Sequence, residues 1–317
     1  MPLRAGIIGY GTTANGHARV LTQEGVVIES VMGRLPDKTA EFAQQHGAHH
    51  HTTDLAALLA RPELDVVVIC SPTDAHAAQT EQCLRAGKHV LVEIPLAVSY
   101  ADAQRLVDLA REQQLTLMVA HTHRFGAAIQ EVKQRISSGA LHVHNIISRY
   151  VFLRRENVDL TGRRRSWTDN LLWHHGCHAT DMCLWLLGET QPGQIDVTSH
   201  VALPDPKMGI PLDLSILLRA RGDALASVNM SYNSHLSRYD YLVIGDETTL
   251  LVSEGKLCGP EGVLLDPAQL PKGESAQELQ DREFLAAISE RRTAAISGAA
   301  VLPAMWALGQ VDPDSRA

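Results

Sequence analysis

The chain has 317 residues and a net charge of −8, with 28 Lys and Arg against 36 Asp and Glu. That balance argues against a nucleic-acid partner, and no run of eighteen apolar residues suggests a membrane span. A hydrophobic share of 45% with 20% charged residues describes an ordinary globular protein of about two domains. The five cysteines (70, 83, 177, 183 and 258) lack CxxC spacing, which points to reduced thiols and a cytoplasmic setting. The first residues already read as a core strand, so no signal peptide is expected.

Residues 3–8 are mostly apolar and run straight into Gly9, Tyr10, Gly11, Thr12, Thr13 and Ala14, a GxGxxA turn that opens a helix. Strand, glycine turn and helix N-terminus in that order make a seat for a pyrophosphate. Gly9 allows the tight turn, Gly11 admits the phosphates, and small Ala14 lets helix pack on strand. Strands are then expected at 26–32, 66–70, 89–93 and 116–120, and helices at 37–45, 73–86 and 99–113. This alternation predicts a doubly wound parallel sheet, a Rossmann domain over 1–121. His49, His50 and His51 read as a solvated loop.

From 122 to 317 the pattern changes to an α+β domain. A helix at 127–137 precedes strand-like runs at 145–152, 196–201, 212–219, 224–231, 239–244 and 248–252, which short turns link into a largely antiparallel sheet. Between the first two strands lies a helix over 171–187. The tail from 279 is helical, with the option of packing back on the first domain.

The second strand of the nucleotide domain ends Met32-Gly33-Arg34, with glycine where an NAD binder places a ribose-binding carboxylate. Arg34 offers a fork for a 2′-phosphate, so NADP is favoured, with NAD as the alternative. Cys70, Ser71, Pro72, Thr73 and His76, together with Glu93 and Ile94, follow the carboxyl ends of parallel strands, where the nicotinamide is expected.

On the 171–187 helix, His174, His178 and Asp181 share one face at i, i+4 and i+7, with Asp169 as a candidate cap. Histidine titrates near neutrality and can take a hydroxyl proton while hydride leaves the same carbon. His178 is the preferred base, with His174 or His175 assisting. The same spacing also suits zinc or simple core packing, although hydride transfer requires no metal. Cys177 is out of phase with this face. Six arginines (149, 154, 155, 163, 164 and 165) without a lysine suggest carboxylate recognition, or a solvated surface. Arg124 is the first choice for a substrate carboxylate, with Arg155, Arg165 and His123 as further ligands. Trp167 and Trp173 are candidate pocket walls.

The sets Cys70-Ser71-Pro72-Thr73 with His76, Gly87 to Glu93, and Gly176-Cys177-His178-Ala179-Thr180-Asp181 resemble the glucose–fructose oxidoreductase and inositol dehydrogenase family. The resemblance implies a Rossmann domain followed by an α/β domain whose sheet face often joins subunits, hence a homodimer or homotetramer. The family's usual Glu-Lys-Pro has Ile94 in place of lysine here, and His174 replaces the first aspartate of its helix motif. Glu93 to Ala97, His121 to Phe125, Arg165 to Asp169, Leu172 to His175 with His178, and Leu279 to Phe284 resemble family members that act on aromatic ring-cleavage semialdehydes. That likeness implies NADP-dependent oxidation of a cyclic hemiacetal of a polycarboxylate to a lactone. The alternatives are a sugar, cyclitol or dihydrodiol dehydrogenase, and a nucleotide-sensing regulator without chemistry.

Overall fold

The computed structural model describes residues 2–156, 171–269 and 273–312. These form two compact units, Met1–Thr122 with Glu274–Val301, and His123–Gly273 with Leu302–Ala317. Among the described residues no helix is long and apolar enough to cross a membrane.

The first unit alternates β1 (Arg4–Ile8), α1 (Thr12–Gln23), β2 (Val27–Met32), α2 (Pro36–Gln45), β3 (His50–Thr52), α3 (Leu55–Leu59), β4 (Val66–Ile69), α4 (His76–Arg85), β5 (His89–Val92), α5 (Tyr100–Glu112) and β6 (Leu117–Val119). The strands are parallel, in the order β3-β2-β1-β4-β5-β6. This is the doubly wound arrangement, whose ligands bind beyond the strand carboxyl ends. Val66, Val67, Val68 and Ile69 are all buried, as a central strand covered on both faces requires.

The histidine run corrects one expectation. His50 and His51 lie in the edge strand β3, where His50 pairs with Ser30 and His51 with Val31. A short, polar edge strand has no apolar alternation to reveal it. Behind it, Glu29 of β2 is buried at 2% exposure and receives Arg4 Nη1 at 2.5 Å and Arg61 Nε at 2.7 Å.

The second unit begins with α6 (Ala127–Ser137), β7 (Val143–Leu153) and α7 (His175–Leu187). Then come β8 (Asp196–Val201), β9 (Asp213–Arg219), β10 (Leu225–Ser231), β11 (Asn233–Gly245), β12 (Thr249–Ser253), β13 (Lys256–Gly259) and β14 (Gly262–Leu265). The sheet order is β14-β13-β12-β11-β7-β10-β9-β8, antiparallel throughout except for the parallel β7–β10 pair. β9 alternates cleanly: Leu214, Ile216 and Leu218 are buried, whereas Ser215, Leu217 and Arg219 are exposed. α7 packs on β7 and β10 and against α9 (Leu302–Val311). It ends on Gly188, which takes the left-handed conformation of a helix C-cap. The chain supplies the first unit with α8 (Ala276–Ser289), opened by a capping box between Ser275 and Glu278.

Candidate active site

In the first unit the glycine turn has the geometry its sequence suggests. Gly9 sits at φ +114°, and a Cβ there would lie 2.6 Å from the carbonyl oxygen of Cys70. Only glycine fits that close approach of two strand ends. A Cβ on Gly11 would meet nothing within 4 Å, so the space over the start of α1 is open. No described side chain caps α1, and its first turn carries no carboxylate. Ala14 is buried and Thr12 and Thr13 are exposed. Free N–H groups, positive dipole and open space fit a pyrophosphate.

Gly33 is explained by packing as well as charge. A Cβ there would lie 2.4 Å from the Tyr10 ring and 2.6 Å from Thr39 Oγ1. The missing carboxylate is therefore required by Tyr10, whichever nucleotide binds. Arg34, next in sequence, is exposed.

The strand ends divide into accessible and buried residues. Cys70, Ser71, Pro72, Thr73 and Glu93 are half-buried. His76, read as a cofactor contact, is 1% exposed, with Nδ1 2.8 Å from the Pro95 carbonyl and Nε2 2.9 Å from that of Ser71. It ties two strand-end loops together and so positions them. Ile94 is also buried, which places an aliphatic side chain where the family pattern has lysine.

A residue that sequence reasoning missed organises this end of the sheet. His17 of α1 is fully buried, with Nδ1 2.8 Å from Asp281 Oδ2 and Nε2 2.9 Å from Glu93 Oε1. Burial opposes its charge, but Asp281 and then Glu93 outweigh burial and raise its pKa to about 10. His17 is thus an imidazolium that donates from both nitrogens. Gln280, next to Asp281, is buried and accepts from Thr122 Oγ1 at 2.8 Å. The 279–284 motif therefore supplies buried polar partners. Burial, followed by Glu93 and Asp281, pushes the Cys70 thiol well above its ordinary range, so it is no nucleophile.

In the second unit α7 starts at His175, four residues later than expected, and His174 occupies its N-cap position. Asp169, the expected cap, lies outside the described residues, as do Arg163, Arg164, Arg165 and Trp167. His174, His178 and His123 are half-buried. The His123 and His178 rings have centroids 4.2 Å apart. His123 Nδ1 lies 2.5 Å from the Tyr239 hydroxyl, which lies 2.9 Å from that of Tyr241. Tyr150 packs against Tyr239 and His175, extending the aromatic surface. The signal for these tyrosines was in the strands. Tyr150 pairs with Tyr239 in register, and Tyr241 lies two residues on, on the same face.

Three expectations are corrected here. His175 is buried with Nδ1 2.6 Å from the Tyr232 hydroxyl, which makes it a scaffold residue. Arg124 is buried, and its Nε and Nη2 reach the two oxygens of Asp181 at 2.8 and 2.5 Å. That bidentate pair, with Trp185 5.1 Å from the guanidinium, holds the loop after β6 on α7 and engages the edge expected to grip substrate. It also commits Asp181, on the same helix face as His174 and His178 in the sequence pattern, to an arginine. Trp173 is 3% exposed and donates Nε1–H to Asp312 at 2.6 Å, so it is core and no pocket wall.

The three described arginines of the run disperse. Arg149 binds Asp240, Arg154 is buried beside the Tyr232 hydroxyl, and exposed Arg155 reaches Asn233 Oδ1 at 2.8 Å. Cys177 and Cys183 are buried, and burial, then Asp181, pushes both thiols up.

Residues 3–121 match the family described as "Oxidoreductase family, NAD-binding Rossmann fold", and 127–268 match "Bacterial oxidoreductases, C-terminal". The chain is 35% identical to the 4-carboxy-2-hydroxymuconate-6-semialdehyde dehydrogenase of Sphingobium sp., over 98% of each chain. It is 27% identical to the myo-inositol 2-dehydrogenase of Thermotoga maritima, over 46% of this chain and 45% of that one. The fold superposes on levoglucosan dehydrogenase in complex with NADH and levoglucosan with a TM-score of 0.84 at 20% identity, covering 100% of this chain and 98% of that one. An oxidoreductase from Agrobacterium radiobacter in complex with NAD+, L-tartaric acid and magnesium gives 0.83 at 22% identity, over 99% and 96%.

Proposed function

The chain belongs to the glucose–fructose oxidoreductase and inositol dehydrogenase family of oxidoreductases, and on that footing we propose that it oxidises the cyclic hemiacetal of 4-carboxy-2-hydroxymuconate-6-semialdehyde to 2-pyrone-4,6-dicarboxylate, with NADP. The observation that carries this reading is the likeness to the Sphingobium dehydrogenase over nearly the full length of both chains. The side chains agree with it. Ile94 removes the lysine that serves alcohol oxidation in the family, while the second unit presents half-buried imidazoles at 123, 174 and 178.

Conversion of a hemiacetal to a lactone removes one C–H hydride and one O–H proton from a single carbon and its hydroxyl. The bound nicotinamide supplies the hydride acceptor. Gly9, Gly11 and the N-terminus of α1 would hold its pyrophosphate, and Arg34 would bind a 2′-phosphate. His178 takes the hydroxyl proton, with His174 assisting. Arg155 and Arg165 serve the substrate carboxylates. Raised thiol pKa values at Cys70 and Cys177 argue against a thioester route. The protein acts in the cytoplasm as a homodimer or homotetramer. The exposed Leu217 and Leu225 of the second sheet support burial against another copy.

The test is turnover by purified protein. It should reduce NADP with the muconate semialdehyde and release the pyrone dicarboxylate, leaving glucose and inositol untouched. Turnover on polyols alone would replace this reading with a sugar or cyclitol dehydrogenase.

A further inference from the structure

We infer that Tyr239 and Tyr241 are positioning residues that fix the tautomer of His123, directing a hydroxyl proton at Nδ1 so that the neutral ring keeps its own proton on Nε2 and the base role is left to His178. This rests on the reaction proposed above and assigns a division of labour between two histidines that spacing alone leaves open.

The hydroxyl protons decide the tautomer. Tyr241 is buried at 2% exposure, and its hydroxyl lies 2.9 Å from that of Tyr239. Among the described residues no other acceptor faces it, and a buried donor without an acceptor is costly. Tyr241 therefore donates to Tyr239. The Tyr239 oxygen, already accepting, directs its own proton at His123 Nδ1, 2.5 Å away. An Nδ1 that accepts leaves the ring proton on Nε2. Burial holds both phenols far above neutrality, so neither ionises to change this order.

Charging His123 would put a second proton on Nδ1, facing the Tyr239 O–H. The chain would have to reverse, stranding the Tyr241 proton. The His178 ring, with its centroid 4.2 Å from that of His123, adds a second reason. Two imidazoliums in contact repel, so a neutral His123 leaves His178 able to accept a proton. The tyrosines thus act as outer partners that fix a ring's tautomer.

The experiment is nitrogen-15 NMR of the histidine side chains in the full-length protein at neutral pH. The His123 signals are identified by their loss in His123→Gln. The expected pattern is a neutral Nε2–H tautomer, which Tyr239→Phe converts to a tautomer mixture or to the charged form. An Nδ1–H tautomer or an imidazolium in the wild type overturns the inference, as does a pattern unchanged in Tyr239→Phe. Because no substrate is added, failure of the proposed reaction leaves this result intact.

Discussion

Nδ1 of His17 lies 2.8 Å from Oδ2 of Asp281, across 264 positions of sequence, in a site with no solvent exposure. The first helix of the nucleotide domain and a helix near the end of the chain thus share one buried charge cluster, completed by Glu93. Its stability is pH-dependent. The folded pKa of about 10 exceeds the unfolded value of 6.5, so the stabilisation is complete below 6.5 and is lost as pH rises through 10. Urea unfolding between these limits should show falling stability, and His17→Gln should remove that slope. At pH 6 the variant should lose about 3–5 kcal/mol, as expected when the buried carboxylate of Asp281 loses its cation. A flat profile in the wild type would mean that His17 is not charged.

Arg34 is the expected determinant of cofactor choice. Arg34→Ala should raise the KM for NADP by about 10- to 100-fold, the equivalent of losing a charge-assisted bond of about 1.5–3 kcal/mol. The KM for NAD should change by less than about threefold, since NAD lacks the phosphate that this bond serves. Equal effects on both cofactors would place the discrimination elsewhere.

His178→Asn should lower kcat by about 10²–10⁴-fold with NADP binding kept, as loss of a general base does. Calorimetric titration of NADP into the variant separates this from misfolding. Unchanged turnover would remove His178 from the role.

The Arg124–Asp181 pair is assigned to the scaffold. Asp181→Ala takes the bidentate carboxylate away from a buried guanidinium and should lower unfolding free energy by about 3–5 kcal/mol, whereas the double variant Arg124→Met with Asp181→Leu should recover most of it. If the single change is harmless to stability and only raises the substrate KM, Arg124 holds substrate after all.

The glycine turn and the central strands were legible because close backbone approach and two-sided burial leave local marks: Gly9 and Gly11, then Val66 to Ile69. The strand at His50–Thr52 left none, being short, polar and at the edge. His17 carried a partial signal. It falls on the buried face of α1 among Ala14, Ala18 and Leu21, where a polar residue requires a partner. The partner, Asp281, is set by tertiary contact alone. The same limit explains Arg124 and Trp173, whose residue types suit ligand binding while their geometry assigns them to Asp181 and Asp312. Tyr239 and Tyr241 gain meaning only once β11 is registered on β7.

The central claim is that one carbon of the hemiacetal loses its hydride to the nicotinamide while an imidazole removes the hydroxyl proton. Substrate carrying deuterium on the semialdehyde carbon, turned over with NADP and followed by mass spectrometry, tests it directly. The account predicts one deuterium in the reduced cofactor and none in the pyrone dicarboxylate. Deuterium retained in the organic product, or reduced cofactor without label, would contradict it.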